Sequence, residues 1–197
     1  MPSPIAHTTT GYIIHKIYQA QRPEQSWWRL GPLPVLLIVT AGLSLLPDID
    51  SVAGFLLGDF GRYHNSGSHS LFVGLAVALA IGGLVWWIKQ SGFVDWFVLA
   101  VLCYQFHIAL DFFTVGRGVM LFWPVSPARF ESPVKLFYGL HWSDGVVSVN
   151  HIWTLLSELG FAALAVLTMH FLGRRMTRFK SVRCFSNRFS ESVPGEG

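Results

Sequence analysis

The chain is poor in charge and in cysteine. Only 13% of its 197 residues are Asp, Glu, Lys or Arg, about half the share usual in a soluble domain. That deficit argues against an ordinary soluble core, since 52% of the residues are hydrophobic and cluster in long stretches. Of the 2 cysteines, Cys103 lies in an apolar run and Cys184 in a basic tail. Neither a disulfide scaffold nor a cysteine metal site is expected. A formal net charge of +3, concentrated at one end, gives no footing for nucleic acid. A cleavable signal peptide is not expected, because the first apolar run lies beyond residue 30 and lacks a small-residue cleavage site. No internal repeat is evident.

What the chain does contain is four apolar runs, over 27–46, 70–88, 93–113 and 151–172. Each is close to the ~20 residues needed to cross a bilayer as a helix. The Trp27–Trp28 and Trp86–Trp87 pairs suit the aromatic belts at membrane interfaces. The polar turn 89–92 makes the second and third runs a helical hairpin. Residues 4–18 read as a further short helix with Pro4 at its start. The expected fold is therefore all-α. It is a polytopic membrane bundle over 1–172, with four spans plus the short N-terminal helix. A basic, disordered tail over 173–197 follows, resting on anionic lipid.

The cations orient this bundle. Lys16, Arg22, Arg29, Lys89 and the tail cations Arg174, Arg175, Arg178, Lys180, Arg183 and Arg188 share one side. Arg62, Arg117, Arg129 and Lys135 lie on the other. The positive-inside rule makes the tail and the Lys89 turn cytoplasmic and turns the loops 47–69 and 114–150 outward.

Ligand-type side chains then collect at the outward end. Leu46-Pro47-Asp48-Ile49-Asp50 stands where the first run leaves the membrane, with Pro47 expected to stop the helix. His64-Asn65-Ser66-Gly67-Ser68-His69-Ser70 stands where the second run enters. His107 and Asp111, at i and i+4, share a helical face near the outward end of the third. If 4–18 runs inward from outside, His7 joins them. Taken singly, each motif has a structural reading as a loop cap, a solvated histidine or a buried hydrogen-bonded pair. Their convergence is what points to metal, because the orientation came from Lys and Arg alone. No motif converges in sequence on His15, Asp59, His141, Asp144, His151 or His170, which read as structural, with Asp144 and His151 in reserve because they border the last span on the outward side; Glu158 reads as a buried, polar-paired residue. Ser66, Ser68 and Ser70 read as turn and cap residues.

The candidate metal ligands are thus His7, Asp48, Asp50, His64, His69, His107 and Asp111, with Asp48 and Asp50 also candidates for proton handling. Imidazole mixed with carboxylate suits Zn²⁺, Mn²⁺ or Fe²⁺. Seven candidates exceed one tetrahedral set, so one or two ions are expected. Metal activation of water favours hydrolysis of a phosphoester, and the position suits membrane lipid or a lipid-linked substrate. Alternatives are a divalent metal or proton transporter, since intramembrane His and Asp also mark ion paths, and a non-catalytic protein with a structural metal site.

The ordered set also resembles the LexA-regulated, membrane-bound metal-dependent hydrolases of bacterial inner membranes. The matching pieces are His7 with Gly11, Leu46-Pro47-Asp48-Ile49-Asp50, His64 and His69 followed by Ser70, and His107-x-x-x-Asp111. Gly118-Val119-Met120-Leu121-Phe122-Trp123-Pro124 completes the set. The resemblance covers roughly residues 1–130. It implies a metal-dependent hydrolase of the inner membrane. Asn65 and Ser68 stand where that family more often carries Arg and Thr.

The topology is testable directly. Reporter fusions after residues 60 and 130 are expected to read periplasmic, and those after 90 and 180 cytoplasmic. A cytoplasmic signal from the His64 loop removes the convergence.

Overall fold

Proline and small residues set the geometry of this bundle as much as hydropathy does. The computed structural model describes residues 3–21, 29–30, 33–58, 64–139 and 148–190. Arg22, the Trp27–Trp28 pair, Asp59, Arg62, His141 and Asp144 lie outside them. Helix α1 (Pro4–Gln21) starts on a proline, whose missing N–H costs nothing in a first turn. Thr8, Thr9 and Thr10 return their hydroxyls to the carbonyls of Pro4, Ile5 and Ala6, so these polar residues enter the bundle already paired. A two-residue antiparallel ladder, β1 (Arg29–Leu30) with β2 (Leu33–Pro34), follows.

The first span departs from expectation at both ends. Its helix, α2 (Val35–Leu45), begins well after residue 27, because Pro32 and Pro34 disfavour helical backbone before them. Pro47 ends the α-helix as expected, at Leu45, but it does not end the apolar stretch. The chain passes through one 3-10 turn, Leu46–Asp48, and resumes as α3 (Ile49–Leu56). Proline breaks the i→i−4 ladder, yet its fixed φ suits a new helical start. The whole stretch Val35–Leu56 is apolar and long enough to span. Asp48 and Asp50 therefore lie within that span rather than beyond it.

Helices α4 (Leu71–Lys89) and α5 (Phe93–Phe112) form the expected hairpin. Gln90 and Gly92 turn it with φ of 53° and 81°. Ser70 caps α4, accepting from the Phe72 amide at 3.2 Å. Along α4 the buried residues are Gly74, Ala78 and Gly82, a small-residue stripe that lets α5 approach closely. A Cβ at Gly74 would come within 2.7 Å of the Tyr104 and Gln105 side chains. Gly11 on α1 faces backbone rather than side chain: a Cβ there would meet the Thr40 carbonyl oxygen at 2.8 Å, so α1 and α2 touch backbone to backbone.

The last helix, α6 (Asn150–Ser190), runs on into the basic tail that was expected to be disordered. Most of its apolar side chains over 151–173 face outward, Leu155, Leu164 and Phe171 among them. Similar outward rows stand on α3, α4 and α5. Among the described residues, four helical stretches, Val35–Leu56, Leu71–Lys89, Phe93–Phe112 and His151–Gly173, are long and apolar enough to cross a membrane. An apolar exterior around a partly polar interior is the arrangement lipid favours.

What ties α6 inward is polar. Thr154 donates to the Gly139 carbonyl at 2.6 Å. Glu158, fully buried, accepts from the Ser3 amide at 2.5 Å, the Ala6 amide at 3.3 Å and the Ser3 hydroxyl. Amides at a helix start have no intrahelical partner, and a carboxylate there also meets the positive end of the helix dipole. Glu158 thus pins the start of α1, the turn that carries His7. Glu158→Ala is expected to lower stability by about 1–3 kcal/mol by leaving these donors unpaired, and Glu158→Gln by less. Thermal unfolding in detergent checks this; equal midpoints for Glu158→Ala and the parent chain contradict it.

Candidate metal centre

Four chain segments bring their polar residues to one buried point. Helix α1 supplies His7, and the 3-10 turn after α2 supplies Asp48. A second 3-10 turn, Gly67–His69, presents His69. Helix α5 supplies His107 and Asp111. His7, His69 and His107 are fully buried and Asp111 nearly so. Asp48 is the most open of the group, its side chain 14% exposed.

The distances are those of a ligand set. His69 Nε2 lies 2.9 Å from Asp111 Oδ2, 3.6 Å from Asp48 Oδ1 and 3.1 Å from His107 Nε2. His107 Nε2 lies 3.5 Å from both Asp48 Oδ1 and Asp111 Oδ2. One donor atom from each of these four residues falls within 4.8 Å of all the others. Metal–ligand bonds of ~2.0–2.1 Å in a tetrahedron place neighbouring donors about 3.3 Å apart. The residues fit a divalent ion on that test.

Their protonation points the same way. His107 Nδ1 is 2.6 Å from the carbonyl of Ser44, which can only accept, so that nitrogen carries the proton and leaves the Nε2 lone pair for the centre. His69 Nδ1 faces Asp50 Oδ2 at 3.1 Å, which fixes the same tautomer. Two imidazole lone pairs facing each other at 3.1 Å repel unless a cation joins them. In keeping with this, both Asp111 oxygens, Asp48 Oδ1 and both His7 nitrogens are buried without a hydrogen-bond partner among the described residues. Groups in that condition are costly. Burial alone would lower the basicity of His69, but the carboxylates of Asp111, Asp48 and Asp50 hold it well above the usual histidine value. A proton and a metal ion compete for that position.

His7 completes the wall. Its ring stacks on His107 with centroids 3.6 Å apart, and its Nε2 is 3.7 Å from Asp111 Oδ1. Asp50 and His64 form an adjoining layer. His64 Nδ1 is 3.1 Å from Asp50 Oδ1 and 2.5 Å from the Ser51 hydroxyl. Asp50, His64 and His69 make a second group that could hold an ion. All seven residues singled out in the sequence therefore sit together. His15 is buried elsewhere on α1, and His170 stands exposed on α6. Sequence reasoning missed the Ser44 carbonyl and Ser51. It read Ser68 as a turn residue, but Ser68 donates to Asp50 Oδ2 at 2.5 Å. The adjacency of Ser51 to Asp50 was the one available hint.

A tethering loop, residues 113–139 as far as described, closes over this assembly. The Leu71 amide donates to the Leu121 carbonyl at 3.0 Å, and the Ser70 hydroxyl to the Trp123 carbonyl at 2.5 Å. From below, the Tyr104 hydroxyl donates to the Ser68 carbonyl at 2.7 Å.

The model of one protein family, described as YdjM inner membrane protein, matches residues 1–180. No curated protein matches, and no solved structure does.

His69→Ala, His107→Ala and Asp111→Ala are each expected to lose bound divalent metal, with His170→Ala retaining it, when metal content is read by elemental analysis of folded, purified protein. Metal uptake is expected to release protons and to weaken as pH falls, because the ligand histidines bind only when neutral. Equal metal content in all four variants contradicts the assignment.

Proposed function

The chain belongs to the YdjM inner membrane protein family, and from that premise we propose that it is a membrane-bound metal-dependent hydrolase. Its substrate is a phosphoester or lipid-linked molecule at the outer face of the inner membrane. The carrying observation is the set Asp48, His69, His107 and Asp111, gathered within 4.8 Å with both imidazoles oriented from behind. The resemblance to the LexA-regulated hydrolases agrees with this reading, and control by LexA belongs to the same proposal. The outward placement rests on the distribution of Lys and Arg.

Zn²⁺, Mn²⁺ and Fe²⁺ all accept this mixture of imidazole and carboxylate. The tautomer of His69 favours one ion in the inner set, because its Nδ1 is committed to Asp50. A second ion in the Asp50 and His64 layer would require that proton to leave. A bound divalent ion supplies the acidity that makes water a nucleophile near neutral pH and polarises a phosphoryl oxygen.

The chain's own residues do the rest. Asp50 orients His69 and is itself held by Ser68 and approached by His64, so the Asp50–His64 pair is placed to take up and pass on a proton. Asp48, the most open member, faces the side from which substrate arrives. The site stands toward the end of the apolar stretch Val35–Leu56, a position that supports a substrate reached from the lipid.

Purified protein in lipid is expected to hydrolyse a phosphoester lipid, to stop on chelation, and to slow as pH falls, beginning above the ~6.5 of free histidine because the neighbouring carboxylates favour protonated His69. Asp50→Asn is expected to keep most of the metal, with an affinity loss of about 10–100-fold, while losing turnover. Asp111→Asn is expected to lose both. Metal flux into vesicles without hydrolysis supports the transporter instead. Bound metal with neither activity supports a structural site.

A further inference from the structure

Two arginines of the tethering loop reach the same short segment of the site. Arg117 Nη2 donates to the His64 carbonyl at 2.5 Å. Arg129 Nη1 donates to the carbonyls of Asn65 at 2.8 Å and Gly118 at 3.2 Å. The loop's backbone makes this convergence. Val119 and Phe130 bridge antiparallel, each amide 2.9 Å from the other's carbonyl. Gly118 takes φ 75°, and a Cβ there would strike the Phe130 carbonyl oxygen at 2.7 Å. Asn65 likewise takes φ 56°.

Neither guanidinium forms a salt bridge with a carboxylate among the described residues. Each spends only one nitrogen on backbone carbonyls, although a guanidinium carries five N–H donors in a fork. The two cations are also mutually unfavourable. Burial first, and then Arg117 beside it, hold the Arg129 guanidinium below its ordinary value, with Asp50 acting in the opposite sense. Paired cations next to a candidate metal centre, with spare donors and no direct carboxylate partner among the described residues, are the arrangement that phosphate recognition uses.

We propose that Arg117 and Arg129 form an anion-binding pair that takes the phosphate group of the substrate beside the His64 edge of the metal centre. The ligand is a phosphate dianion, either as the monoester of a lipid headgroup or as the free ion. This deepens the hydrolase reading and, as a role in substrate binding, rests on it. The contact itself needs no metal, which allows the two to be tested apart.

The experiment uses full-length protein stripped with chelator, in a maltoside detergent or in phosphatidylcholine nanodiscs. The probes are inorganic phosphate and phosphatidate. Arginine-selective labelling read by mass spectrometry is expected to be suppressed at both Arg117 and Arg129 by one or both probes, and not by chloride at equal ionic strength. Suppression by phosphate assigns the site to the free ion; suppression by phosphatidate alone assigns it to a headgroup. In parallel, Arg117→Gln and Arg129→Gln, which keep an amide donor for the loop carbonyls, are expected to bind the effective probe about tenfold more weakly while taking up metal as the parent chain does. Labelling that neither probe suppresses, or probe affinity unchanged in both variants, overturns the proposal. Suppression in a chain that binds no metal leaves the anion pair standing and removes the hydrolase reading.

Discussion

Carboxylates and imidazoles crowded into a dry space need positive charge between them. Asp48 and Asp111 face His69 and His107 across 2.9–3.6 Å, with almost no water to solvate them. Isolated charges in such a place cost several kcal/mol each. The cost is tolerable only if a proton or a metal ion neutralises the carboxylates, and the histidine tautomers select where that cation can sit. Helices α1 and α5 and the two 3-10 turns deliver these groups, and the Ser44 carbonyl and Asp50 orient the imidazoles.

The scaffold meets this demand with close backbone approaches rather than with bulk. Gly11 lets α1 touch α2, and the small residues of α4 let α5 lie close enough for Tyr104 to reach the Ser68 carbonyl. Packing between membrane helices gains little from the hydrophobic effect, since lipid is as apolar as leucine, so fit and interhelical hydrogen bonds carry more of the association. Glu158 belongs to the same economy. It spends a buried charge to fix the first turn of α1, one residue before His7 begins to matter to the site.

Much of this was legible in the sequence. Hydropathy gave four spans, and residue type with position along the spans gave the seven ligand-type residues. Sequence could not supply what depends on backbone. The Ser44 carbonyl that orients His107 carries no residue signature, because any residue offers a carbonyl. The late start of the first span followed from Pro32 and Pro34, which a hydropathy window averages away. Pro47 was read as a stop because proline usually ends a helix, whereas here apolar residues beyond it rebuild one. Arg117 and Arg129 looked like ordinary cations of an outward loop, since nothing local in the chain says that the loop folds back over His64 and Asn65.

The break at Pro47 reaches further than the turn it occupies. Ser44 lies in the last turn of α2, where carbonyls have lost their intrahelical donors. One of these surplus acceptors is the group that His107 bonds. A regular helix through this region would have consumed that carbonyl internally and left the imidazole free to adopt either tautomer. A defect in one helix therefore decides which nitrogen of a side chain on another helix is basic. The same kink that carries Asp48 also sets the tautomer of the histidine it meets.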